Sequence, residues 1–122
     1  MDTSLALTII GSVMILVGII FNAIPKVVNE KIMGELHPEA VNIAALFRVI
    51  LGGIAIAIGV ISVYCRGLPS EHASTLLFSL GLGFIVINIG IISGKFRGFG
   101  DELPLPPIIM FILLSLLAFY AS

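Results

Sequence analysis

The stretch Val41–Tyr64 reads VNIAALFRVILGGIAIAIGVISVY, and a single charge, Arg48, interrupts it. About 20 consecutive apolar residues suffice for an α-helix to cross the roughly 30 Å hydrocarbon core of a bilayer. The run is continuous rather than alternating, and an open sheet would leave its backbone groups unsatisfied in lipid. It therefore predicts a membrane-spanning helix. Three similar runs accompany it. The first covers Leu5–Ile24 and is closed by Pro25, which breaks the helical hydrogen-bond ladder. The third covers Ala73–Ile92 and gives way to GKFRG at Gly94–Gly98. The fourth, Leu105–Tyr120, is short and is opened by Pro104, Pro106 and Pro107, which suit a helix start. The expected fold is all-α: an integral membrane four-helix bundle in which residues 1–122 form a single transmembrane domain.

Composition excludes the main alternatives. Of the 122 residues, 59% are hydrophobic and 11% charged, whereas a soluble domain carries about 45–50% apolar and about 25% charged residues. There is too little polar surface to cover a water-soluble globule. Six Lys and Arg against seven Asp and Glu give a net charge of −1, so no basic face exists for nucleic acid. One cysteine, Cys65, excludes a disulfide scaffold. The first run lacks the basic leader of a secretory signal, since Met1–Ser4 holds no Lys or Arg, and is expected to be a retained helix.

Orientation follows from the basic residues of the short loops. Lys26 and Lys31 follow the first run, and Lys95 and Arg97 follow the third. The remaining loop and both termini hold only Arg66. This places the first and third loops in the cytoplasm and both termini on the extracytoplasmic side. Within the longest connection, 26–40, Val27, Val28, Ile32, Met33 and Leu36 fall at near-helical spacing among Asn29, Glu30, Lys31 and Glu35. That pattern suits either a short amphipathic helix in the headgroup layer or a polar linker.

Helices in lipid associate through small residues that let backbones approach and through a few polar side chains. The second run carries Ala45, Arg48, Gly52, Ala55, Gly59 and Ser62 along one face, and the first carries Ser4, Thr8, Gly11, Gly18 and Asn22. The third offers two stripes, Ser74, Gly81 and Asn88, or Ser79, Gly83, Gly90 and Gly94. The fourth has Ser115 among large apolar residues, so it is expected to pack more loosely than the other three or to face a partner. The expected packing positions are Gly11, Gly18, Gly52, Gly59, Gly81, Gly83 and Gly90.

The polar candidates are Arg48, Asn22 and Asn88, all in the cytoplasmic half. Arg48 lies seven residues into its helix, about 10 Å deep at 1.5 Å per residue. A charge at the bilayer centre costs about 2.5–3.5 kcal/mol on insertion scales, so an intramembrane arginine requires acceptors or water. Asn22, Asn88, helix carbonyls and Glu30, Glu35 or Glu39 are the available acceptors. Two readings of Arg48 remain open: a structural clasp that can also snorkel to the interface, and a cation that receives an anion, a lipid phosphate or a partner's acid. Other chemistry is sparse. His37 and His72 fall on opposite membrane sides, so no metal or cofactor site is expected, and Cys65 has no catalytic partner.

The segment Arg48-x-x-x-Gly52-Gly53 with Gly59, preceded by Asn42, resembles the DUF4345 group of small bacterial four-helix membrane proteins. The likeness covers chiefly Leu5–Tyr64. It implies the architecture, a bacterial or archaeal cytoplasmic membrane, and interest in Arg48; the group has no established activity to transfer. No nucleophile, metal cluster or acid/base pair points to an enzyme. The expected function is that of a structural or accessory subunit, packing against other membrane subunits or itself among membrane lipids. The alternative is a small transporter or channel with an Arg48-centred anion or lipid site, although no Asp or Glu lies in any span to couple protons.

Overall fold

The computed structural model describes residues 1–100 and 103–122, and within them all regular structure is helical. Helix α1 spans Thr3–Ala23, α2 Pro25–Met33, α3 Val41–Tyr64, α4 Ser70–Phe96 and α5 Leu105–Ala121, with a single 3₁₀ turn at Cys65–Gly67. Three of them, α1, α3 and α4, are long and apolar enough to cross a membrane. The fifth is apolar but has only 17 residues, about 26 Å of helix.

Local chemistry sets the ends. Pro25 opens α2 and has no N–H to give to Phe21, so the ladder breaks at Ile24, whose φ of −136° is not helical. Gly34, at φ 77°, stops α2 while its N–H still reaches the Glu30 carbonyl at 2.8 Å. The segment expected to be amphipathic is thus helical only to Met33. Helix α4 runs beyond the apolar run at both ends, from Ser70 to Phe96. Glu71 in its first turn and Lys95 in its last complement the helix dipole. It is closed by a Schellman motif around Gly98 at φ 81°. There the Phe99 N–H donates to Gly94 at 2.9 Å and the Gly98 N–H to Lys95 at 3.1 Å.

The surface is inverted relative to a soluble globule. Leu46, Phe47, Val86, Leu113 and Leu116 are each more than half exposed, whereas Asn29, Ser62, Asn88 and Ser115 are buried. Water sorts these residue types the other way. The interior also holds large apolar side chains such as Leu7, Ile10, Leu77 and Phe84, so what marks lipid is the apolar outside together with buried polar groups, because hydrocarbon gives apolar groups no reason to hide.

By its internal contacts the chain divides into two units, Gly11–Tyr64 and Met1–Ile10 with Cys65–Ser122. In the second unit α5 lies directly on α4. The Ser115 hydroxyl donates to the Gly81 carbonyl at 3.3 Å, and Asn88 Nδ2 donates to the Ile108 carbonyl at 3.2 Å. Phe119 covers Gly81, and two ring pairs, Phe78–Phe119 at 5.3 Å and Phe84–Phe111 at 5.7 Å, flank that contact. The expectation of a loosely packed last helix is therefore corrected. A glycine on α4 makes a slot that Phe119 fills, and α5 adds small residues of its own to the packing, since Ser115, Ala118 and Ala121 are buried.

Candidate functional site

The site is built in the unit Gly11–Tyr64, on a close crossing of α1 and α3. A Cβ added at Gly11 would lie 2.8 Å from the Gly59 carbonyl oxygen, and one at Gly59 would lie 2.6 Å from that of Gly11. One heptad along, a Cβ at Gly52 would lie 2.8 Å from the Gly18 oxygen, and one at Gly18 would run into Gly52. Only hydrogen fits at these four positions. The spacing of seven on both helices matches a seam with a repeat of about 3.5 residues, as in left-handed helix pairs. The buried residues of α3 are Ala45, Gly52, Ala55, Gly59 and Ser62, the small members of its stripe.

Arg48 belongs to the same face and is partly buried. Its Nε donates to Asn29 Oδ1 at 2.7 Å, and its guanidinium carbon sits 4.8 Å from the centre of the Phe21 ring. The acceptor thus comes from α2, and the ring at the end of α1 adds a cation–π contact. Asn29 is only 2% exposed. Helix α2 turns Val28 and Asn29 inward and leaves Val27 and Met33 largely exposed, which reverses the role the sequence pattern gives Asn29.

The Arg48 contact fixes the orientation of the Asn29 amide. A guanidinium only donates, so the oxygen must face it and the nitrogen must point elsewhere. Asn29 Nδ2 is buried and has no acceptor in the protein. A buried donor left in this way costs about 1–3 kcal/mol. Asn29 also forms part of the wall of a cavity of about 370 Å³, together with Lys26, Glu30, Glu35, Leu36 and Val41. Lys26, Glu30 and Glu35 are exposed, so this wall opens to the surface, while Asn29 Nδ2 stays sealed behind it.

The other candidates are dispersed. Asn22 lies beside the crossing, where its Nδ2 donates to the carbonyls of Gly18 at 3.0 Å and Val49 at 3.4 Å. It is no acceptor for Arg48. Asn88 belongs to the other unit; its donor goes to Ile108, and its Oδ1 is buried without a partner. Of the two stripes on α4, the one with Gly81 and Asn88 is buried. Gly83 and Gly90 are exposed, and a Cβ at either would meet nothing within 4 Å. Gly83 and Gly90 thus lie on the stripe of α4 that α5 does not take.

Asn29 and Phe21 are the functional residues that sequence reasoning missed. The available signal was the stripe Pro25, Asn29 and Ile32, in which an amide shares a helix face with apolar residues. Among the described residues no three His, Cys, Asp or Glu side chains gather to hold a metal. No family model, curated protein or solved structure matches this chain.

Proposed function

We propose that this chain is a non-enzymatic accessory subunit of a membrane complex, crossing the bilayer four times with both termini on the extracytoplasmic side. The four-span count needs α5 as a span, and 17 residues lie at the short end of the workable range. Tyr64 and Tyr120, both strongly exposed at the C-terminal ends of α3 and α5, support it: in that topology they occupy the same interface, where tyrosine is enriched. The likeness to the DUF4345 group at Arg48, Gly52, Gly53 and Gly59 is in keeping with this architecture.

The observation that carries the accessory role is the open face of α4. Ser79, Gly83 and Gly90 are exposed there, and among the described residues nothing lies within 4 Å of a Cβ at either glycine, although each mid-helix glycine costs roughly 1 kcal/mol relative to alanine. Such a face lets another helix approach closely. The test is purification in mild detergent of the wild type and of the double variant Gly83→Leu/Gly90→Leu. The wild type should carry a stoichiometric membrane partner or form a homo-oligomer, and the variant should lose it with an unchanged melting temperature. A monomeric, partner-free wild type would overturn the proposal.

A second reading is favoured by the cavity at Asn29: Arg48 and its neighbours form an anion or lipid site. Under this reading the part-buried Arg48, held by Asn29, supplies the positive charge together with the exposed Lys26.

A further inference from the structure

The turn that closes α4 reads Gly94-Lys95-Phe96-Arg97-Gly98-Phe99. Phe96 is 81% exposed and Phe99 74%, so two large rings stand open within four residues. In a Schellman motif the residue at the place of Phe99 commonly packs on an apolar side chain three or four positions before the cap. Here those positions hold Gly94 and Ser93, which offer no such surface. The Phe99 ring has Arg97 over it instead, with the guanidinium carbon 4.9 Å from the ring centre. A guanidinium stacked by its flat face keeps the N–H groups of its edge free to donate.

The packing of α5 on α4 gives the height of this turn. Ser115 meets Gly81 and Asn88 meets Ile108, so the two helices run antiparallel in step, and Leu105 at the start of α5 falls level with Ile91. Phe96 lies five residues farther along α4, about 7–8 Å by helical rise. With the 17-residue α5 filling the hydrocarbon core, that distance ends inside the head-group layer, which is roughly 5–8 Å thick on each side. From there Gly98 turns the chain back toward α5. Aromatic rings and basic side chains are both favoured at that level.

We propose that the turn 95–99 is a membrane-surface anchor, seating Phe96 and Phe99 in the head-group layer while Lys95 and Arg97 meet phospholipid phosphates. This rests on α5 crossing the bilayer, part of the reading above. Charge and ring alternate along the turn, matching a surface where phosphate and acyl ester lie side by side. The level favours lipid over a protein partner, because lipid is present there whenever the helix pair is in a membrane. Asp101 and Glu102 carry the other charges of this connection.

The chain has no tryptophan, so Phe96→Trp, Phe99→Trp and Leu113→Trp each give a single fluorescent reporter in the full-length protein. Leu113 stands midway along α5 and is 60% exposed. In phosphatidylcholine vesicles, bromine near the ester end of the acyl chains should quench the first two more than bromine near the methyl end. Iodide on both sides of the vesicle should quench them little. Leu113→Trp should reverse the preference between the two bromine positions. Iodide quenching of Phe96→Trp and Phe99→Trp, with Leu113→Trp still quenched from the methyl end, would overturn the anchor alone. Loss of that deep quenching at Leu113→Trp would overturn the four-span reading, and the level argument with it. Quenching of neither kind at the two turn reporters would show that protein covers the turn, and would overturn the lipid assignment. The phosphate contact is read in mixed vesicles of fixed composition, with bromine placed either in phosphatidylcholine or in anionic phosphatidylglycerol. Adding Lys95→Gln/Arg97→Gln to Phe99→Trp should lower the ratio of phosphatidylglycerol to phosphatidylcholine quenching about twofold. An unchanged ratio would overturn the phosphate contact.

Discussion

Arg48 Nε donates to Asn29 Oδ1 across 2.7 Å, tying the interior of α3 to α2 by a charge-assisted hydrogen bond. The pair makes α2 part of the packed structure rather than a loosely adsorbed connection. Asn29→Ala should therefore lower stability by about 1.5–3 kcal/mol, the range for a hydrogen bond to a charged group. Arg48→Lys should also destabilise, since an ammonium cannot reproduce the planar donor that lies over Phe21. Removing both polar partners in Arg48→Met/Asn29→Leu should restore most of the loss. Thermal unfolding in detergent of the singles and the double reads all three; strictly additive losses would show the pair to be energetically uncoupled.

Gly52 and Gly53 are adjacent and should behave in opposite ways. At Gly52 a methyl group meets the Gly18 carbonyl and Phe21 Cβ, which are backbone or close to it and cannot swing aside. Gly52→Ala should cost about 1–3 kcal/mol, the usual range for overpacking. At Gly53 there is nothing within 4 Å, so Gly53→Ala should be neutral or stabilise by up to about 1 kcal/mol through helix propensity. Equal melting shifts for the two would contradict the crossing geometry.

Gly81 tests the other helix pair. A Cβ there would sit 2.6 Å from Phe119 Cε1, at the far edge of a side chain that can rotate. Gly81→Ala should therefore cost less than Gly52→Ala. In a Phe119→Leu background the same substitution should cost still less, a non-additivity expected of residues in direct contact. A cost that is the same in both backgrounds would mean that the ring is not what the methyl meets.

The topology is open to direct labelling. In a Cys65→Ser background, cysteines introduced at Ser4 and at Lys95 should differ in access. A membrane-impermeant maleimide applied to intact cells should label the first and spare the second. Labelling of the Lys95 position from outside would reverse the orientation.

Much of this structure was legible because lipid makes a simple demand of sequence. Apolar length marked α1, α3 and α4, and small residues at alternating spacings of three and four marked the face by which α3 packs. Arg48 was conspicuous as the one charge in its run. Its partner was not, because Asn29 sits on a nine-residue helix too short for periodicity to say which face turns inward. The choice between the two stripes of α4 was likewise hidden. It depends on where Phe119 falls across Gly81, a relation between helices that neither helix records alone. Helix α5 shows the same limit: Ser115, Ala118 and Ala121 mark its buried face, but nothing in them says that rings from one side fill a gap on the other.

The paired glycines Gly11–Gly59 and Gly18–Gly52 stand one heptad apart on both helices, and this works as a vernier on insertion depth. Sliding α1 along α3 by a single turn would press valine and isoleucine methyl groups against carbonyl oxygens at both levels. Sliding by a full heptad would keep one glycine pair and forfeit the other. Only one alignment satisfies both, so the height of α1 in the bilayer is set by α3 and not by hydrophobic length alone. Because α2 hangs from the end of α1, the same alignment brings Asn29 level with Arg48. A bilayer that thickens or thins would then tilt the pair as one body before it could pull that contact apart.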